Sequence, residues 1–244
     1  MKIIDRWLVV MGILSIVFFV CLWNNRDAQG NVEYYEGSNS VAMCEYIELD
    51  LLKTNVELIP YSGSRIKFEY KSLVPIEVLT GDNRLVVNES DELKVSFMTG
   101  DSTQFGLKLY LPKQNYRSIT VYTSSGNVDI GGVKAEIINV ITNSGNIAAS
   151  STRSVVNLTS GSGNILLDLD KVKAGSSILS RSGNAEIRFV QGSSVALSYK
   201  TDTGIFRTDL LSADIKGSYM YSFSGGENLI HADVSRGVLT VRAK

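Results

Sequence analysis

The stretch that decides the fold is Ile119-Thr120-Val121-Tyr122-Thr123-Ser124-Ser125-Gly126-Asn127-Val128-Asp129-Ile130. Ile119, Val121, Val128 and Ile130 alternate with other residues on two arms, and Ser125-Gly126-Asn127 stands between the arms. Alternation at period 2 is the signature of a strand and excludes a helix. The unit recurs at Ser144-Gly145-Asn146, Ser162-Gly163-Asn164 and Ser182-Gly183-Asn184, with a degenerate Thr203-Gly204-Ile205. Working outward from each glycine, the same places are filled again. Seven before it stand Ile119, Ile138, Val156, Ser176 and Leu197; five before it stand Val121, Val140, Leu158, Ile178 and Tyr199. Two after it stand Val128, Ile147, Ile165, Ala185 and Phe206; four after it stand Ile130, Ala149, Leu167, Ile187 and Thr208.

A unit this short cannot bury its own apolar face, but stacked units align these columns into continuous ladders. The fold class expected is all-β, a single-stranded β-solenoid with regular repeats over about 118–242. The glycine suits a corner that needs positive φ. The asparagine suits a tight corner and can bond to its copy in the next rung. Only the four columns are expected to point inward, which leaves Thr142 outside. Gly237 is read as the final corner, because Ile230, Ala232, Leu239 and Val241 fill the inward places around it. Asp209 to Asn228 is then an excursion, and Val238 to Val241, followed by Arg242 and Lys244, is a charge-protected end. Residues 41–112 are strand-rich but less regular and form the first rungs of one domain, 41–244.

Ahead of the repeats, Trp7 to Trp23 carries no charge. As a helix it spans roughly 25 Å, the short end of what a bilayer needs. Tryptophans at both ends suit the two interfaces. A cleaved signal peptide needs small residues before the cut, but Arg26 stands at the −3 position to Ala28, and Val20 precedes Cys21. The expectation is an uncleaved single-pass transmembrane helix at 7–23. Lys2 and Arg6 hold residues 1–6 in the cytoplasm and place the domain outside the cell membrane. Residues 24–40 are polar and read as a linker.

The net charge is −1, so no basic field attracts nucleic acid. Cys44 is the lone cysteine beyond the apolar run, which leaves no internal disulfide or cysteine-rich zinc site there. His231 is the one histidine and points outward, so no Ser-His-Asp or multi-histidine metal site can be built on it. The outward column three after glycine reads Asp129, Ala148, Leu166, Glu186 and Arg207, with Asp129 and Glu186 three rungs apart. Paired catalytic carboxylates need roughly 5–10 Å, and three rungs span about 14 Å. No enzyme, catalytic residue, metal or cofactor is expected. Lys134, Arg153 and Lys171 stand eight residues after successive glycines. They are the candidate contact to an anionic polymer or lipid headgroups, against the plainer reading of solvated turn cations.

Leu109-Tyr110-Leu111-Pro112, the stretch from Ile119 to Val128, the later Ser-Gly-Asn corners and the closing Arg236-Gly237-Val238-Leu239 together resemble the bacterial "putative adhesin" family, which includes LiaG-like envelope proteins. The resemblance covers about residues 40–242. It implies a β-solenoid at the cell surface with envelope-stress associations, and it carries over no catalytic residue. The function expected is a membrane-anchored envelope module that binds a partner protein or an anionic wall polymer. The rivals are a polysaccharide-acting enzyme on a solenoid and a scaffold that stacks end to end.

Overall fold

The computed structural model describes residues 34–90, 105–171, 173–209 and 215–244. The segment 7–23, the linker up to residue 33 and the strand expected at Leu93 to Phe97 lie outside them. Among the described residues no helix is long and apolar enough to cross a membrane. Tyr35–Lys244 is one compact unit.

The unit is a two-sheet solenoid, with strands numbered in chain order. Each rung gives one strand to sheet B and the next strand to sheet A, with a corner between them wherever the connection lies among the described residues. The rungs are β2 (Tyr46–Leu51) with β3 (Asn55–Tyr61), β6 (Arg84–Glu89) with β7 (Gly106–Pro112), and β8 (Asn115–Thr123) with β9 (Val128–Gly131). Next come β10 (Lys134–Thr142) with β11 (Ile147–Thr152), β12 (Val155–Ser160) with β13 (Ile165–Leu169), and β14 (Ser176–Ser180) with β15 (Ala185–Phe189). Last in sequence are β16 (Val195–Lys200) with β17 (Ile205–Thr208), and β20 (Asn228–Val234) with β21 (Val238–Ala243). Neighbouring rungs pair in parallel, with Val121 opposite Val140 and Val140 opposite Leu158. The four columns face the space between the sheets. Ile119, Val121, Val140, Leu158, Ile178 and Ile187 are all at most 1% exposed, within one continuous core.

The spatial order departs from the sequence order at both ends. β2 lies between β6 and β8, and β3 lies between β7 and β9. At the far end β20 sits between β14 and β16, and β21 between β15 and β17. Gly237 is therefore a true corner, but its rung is interior. The expectation of a protected end at Val238 to Val241 is wrong: both edges of β21 are paired. Antiparallel strands close the stack instead. β1 (Tyr35–Val41) and β4 (Ile66–Ser72) extend sheet A, and β5 (Ile76–Gly81) extends sheet B. The excursion after Asp209 supplies β18 (Ile215–Lys216) and β19 (Tyr219–Phe223) at the other end. Residues 35–40, expected as linker, are thus part of the domain. β1 is half-exposed on both faces and shows no apolar alternation, so it reads as a spacer; its backbone pairs with β4, and Gly37 makes room for the Tyr70 ring.

The corners correct two further expectations. Gly126, Gly145, Gly163, Gly183 and Gly204 do not have positive φ; of the corner glycines only Gly237 does, at 131°. Glycine is required because the chain passes directly over the preceding corner. A Cβ on Gly163 would stand 1.9 Å from the Gly145 carbonyl oxygen, and one on Gly183 2.2 Å from that of Gly163. Thr142 is also not outside. It is 1% exposed, and its Oγ1 accepts the Gly145 N–H at 2.8 Å. Thr123, Ser160 and Thr201 do the same for Gly126, Gly163 and Gly204. A hydroxyl three residues before the glycine satisfies a backbone donor that the tight stack hides from water.

Candidate functional site

Two ladders of side chains run along the corner of sheet A. The first is asparagine. Asn55 Oδ1 accepts the N–H of Asn127, and the pattern passes to Asn146, Asn164, Asn184 and Val238 at 2.8–3.0 Å. Each asparagine thus pins the next rung, as expected from the repeat.

The second is the outward row beside it. Lys108, Glu57, Asp129, Ala148, Leu166, Glu186, Thr240 and Arg207 stand opposite one another from strand to strand across sheet A. The two ladders floor a trough of about 1430 Å³, walled at one end by Glu36 to Ser38 of β1, Glu69 to Lys71 of β4, and Phe105. Its centre, Ala148 and Leu166, is uncharged. One end is mainly acidic, with Glu36, Glu57, Glu69 and Asp129 against Lys71 and Lys108. At the other end Glu186 is held by Arg188 at 2.9 Å and Arg242 at 3.5 Å, and Arg207 lies nearby in the row.

This charge pattern shifts two carboxyls in opposite directions. Solvent reaches Asp129, but protein crowds it in the trough. That burial, and then the charge of Glu57 on the next strand, raise its pKa above the usual carboxylate range. The Glu186 carboxyl is held below that range, first by the hydrogen bond from Arg188 and then by the charges of Arg188 and Arg242, against some desolvation.

Asp129 and Glu186 are three strands apart, as the repeat predicts. Sequence reasoning missed Glu57, the true neighbour of Asp129. Its rung turns through Thr54-Asn55 without glycine, so the repeat phase does not reach it. There the buried Glu89 carboxylate takes over the corner's closure. It accepts the N–H groups of Leu52 at 2.6 Å and Lys53 at 3.1 Å and the Thr54 hydroxyl at 2.6 Å.

His231 is exposed on the outer face of sheet B, opposite Ser177 and Ser198. Asp168 and Asp170 both pair with Lys244. Among the described residues no group of three potential ligands could hold a metal ion. Lys134 opens β10 opposite Asn115, Arg153 lies in the turn before β12, and Lys171 in the bend after β13. All three are exposed, and none forms an ion pair among the described residues.

Residues 44–199 and 128–234 each match the Toastrack DUF4097 family model, the overlap being what a periodic chain allows. The chain belongs to the Toastrack DUF4097 family. The family assignment agrees with the resemblance drawn from the Ser-Gly-Asn corners. Solved structures similar to this Toastrack domain include a "putative cell adhesion protein" from Clostridium sporogenes ATCC 15579. It is 16% identical, covers 87% of this chain and 100% of its own, and has a TM-score of 0.50. A "putative adhesin" from Bacteroides fragilis NCTC 9343 is 14% identical over 87% of this chain and 97% of its own, with a TM-score of 0.46. No curated protein matches the chain. At these identities the likeness is one of fold.

Proposed function

We propose that this chain is a non-catalytic, membrane-anchored envelope protein whose Toastrack domain is an adhesin-like binding module outside the cell, with the sheet A trough as its ligand site. The trough carries the reading. It is a long open channel over a rigid floor, lined by amide side chains and charged at its two ends. Such a shape receives an extended polymer along the stack rather than a compact small molecule. The apolar segment 7–23 supports the anchor. A similar fold in the "putative cell adhesion protein" from Clostridium sporogenes supports the same reading.

The test uses residues 35–244, which contain the whole core. The probes are insoluble cell-wall sacculi and purified surface polysaccharide. Ala148 is half-buried on the trough floor with its side chain outside the core. Ala148→Trp should block the channel midway and lower binding at least tenfold with an unchanged melting temperature. Undiminished binding by that variant removes the trough from the reading, and turnover of the polysaccharide removes the non-catalytic assignment.

A further inference from the structure

The outer face of sheet B differs from that of sheet A. Across its central strands, the outward residues from Ser118 to Tyr122, Ile137 to Ile141, Val155 to Thr159 and Ser177 to Leu179 include no charge. Tyr122, Ile137 and Ile141 are 40–41% exposed, large and apolar or aromatic. Three of the polar residues among them, Asn139, Asn157 and Ser177, bond to one another. Asn157 Nδ2 donates to Asn139 Oδ1 at 2.9 Å, and the Ser177 hydroxyl donates to Asn157 Oδ1 at 2.8 Å. Covering this face would therefore leave those three side chains with partners.

The rim of the same face is basic. Lys134 at the start of β10, and Arg153 and Lys171 in the connections leading into β12 and β14, are exposed and without ion pairs among the described residues. Glu136 at this rim is already engaged by Arg117 at 2.6 Å. We propose that the outer face of sheet B, with this basic rim, rests on an anionic lipid surface. Aromatic and aliphatic side chains enter the headgroup boundary while long cations reach the headgroups beside them.

Charge decides against a second copy of the chain as the occupant. The back rim of a facing copy offers the same cations and its corner rim, with Ser124, Ser125, Asn143, Ser144 and Arg181, no anion; on the strands flanking the uncharged patch Glu48 and Asp233 are already paired with Arg84 and Lys200, which leaves Asp50 to face those cations. The inference does not depend on what the trough binds.

The experiment is co-sedimentation of the 35–244 domain with vesicles of phosphatidylglycerol in phosphatidylcholine, and of phosphatidylcholine alone. Wild type should sediment with the anionic vesicles only, and lose most binding at about 0.5 M salt. At about 1 kcal/mol per cation, Lys134→Gln with Arg153→Gln and Lys171→Gln should weaken partition on the order of a hundredfold. Tyr122→Ser with Ile141→Ser, both solvent-facing, should weaken it roughly tenfold without lowering the melting temperature. Absence of wild-type binding at low salt, or full binding by either variant, overturns the proposal. So does concentration-dependent self-association that Tyr122→Ser with Ile141→Ser abolishes, which would assign the face to a second copy.

Discussion

A Cβ placed on Gly145 stands 1.9 Å from the carbonyl oxygen of Gly126, one rung below. No side chain meets a backbone oxygen at that distance, so the corner must open before any larger residue fits. Gly145→Ala is expected to cost about 3 kcal/mol or more. Gly81→Ala, where nothing lies within 4 Å, should be nearly neutral. Denaturant melts of the two variants check this; equal midpoints would mean that the corners are not packed as described.

Thr142 tests the hydroxyl column. Thr142→Val keeps the shape but leaves the Gly145 N–H buried without an acceptor, so a loss of about 1–3 kcal/mol is expected. Thr142→Ser retains the oxygen and should lose much less. If valine is tolerated as well as serine, the hydrogen bond contributes nothing.

Val140 tests the ladder itself. It is 0% exposed between Val121 and Leu158, and Val140→Asp places an unpaired carboxyl there. Several kcal/mol of destabilisation is expected. A folded, undiminished variant by circular dichroism and melting would refute the inward assignment.

Glu89 closes the Thr54-Asn55 corner, which lacks the glycine of the Ser-Gly-Asn signature. Glu89→Ala strips acceptors from Leu52, Lys53 and Thr54 and should destabilise by about 2–3 kcal/mol, with Glu89→Gln intermediate. Hydrogen exchange should report the loss first at Leu52 and Lys53. Unchanged protection there would show that the cap is dispensable.

Asp129 titrates above an ordinary aspartate. A raised folded-state pKa means the folded chain holds this proton more tightly than the unfolded one. The resulting stability is present in full below the unfolded pKa and is lost as pH rises through the folded pKa. Carbon-detected NMR titration should show Glu57→Gln lowering the Asp129 pKa only part of the way, because burial is the larger cause. Complete return to the ordinary value, or no movement, would contradict the stated order of causes.

The four apolar columns and the asparagine ladder were legible because each repeats in fixed phase from glycine. The Thr123, Thr142, Ser160 and Ser180 column repeats just as faithfully but reads as polar, and polar residues are ordinarily assigned to the outside. The neighbours of β2 and β20 were not legible, since periodicity identifies a rung without saying which rung lies beside it. Glu57 was lost for a related reason: of the four carboxylates at the acidic end only Asp129 stands in a repeat with the signature, while Glu57 lies on a rung without it and Glu36 and Glu69 on the antiparallel strands β1 and β4. The trough itself is a property of strands laid side by side in sheet A, and no local pattern encodes it.

The inward placement of β20 and β21 has a mechanical consequence. The β16–β17 rung meets its parallel neighbour only when residues 228–243 have slotted between it and β14–β15. These later strands thus act as a bolt that joins two leaves already synthesised. Such a stack cannot be completed leaf by leaf as the chain leaves the ribosome. Nor does β21 peel away under load. Force applied at Ala243 shears β21 against β15 and β17 together, so resistance gathers at the very segment a simple row of rungs would surrender first.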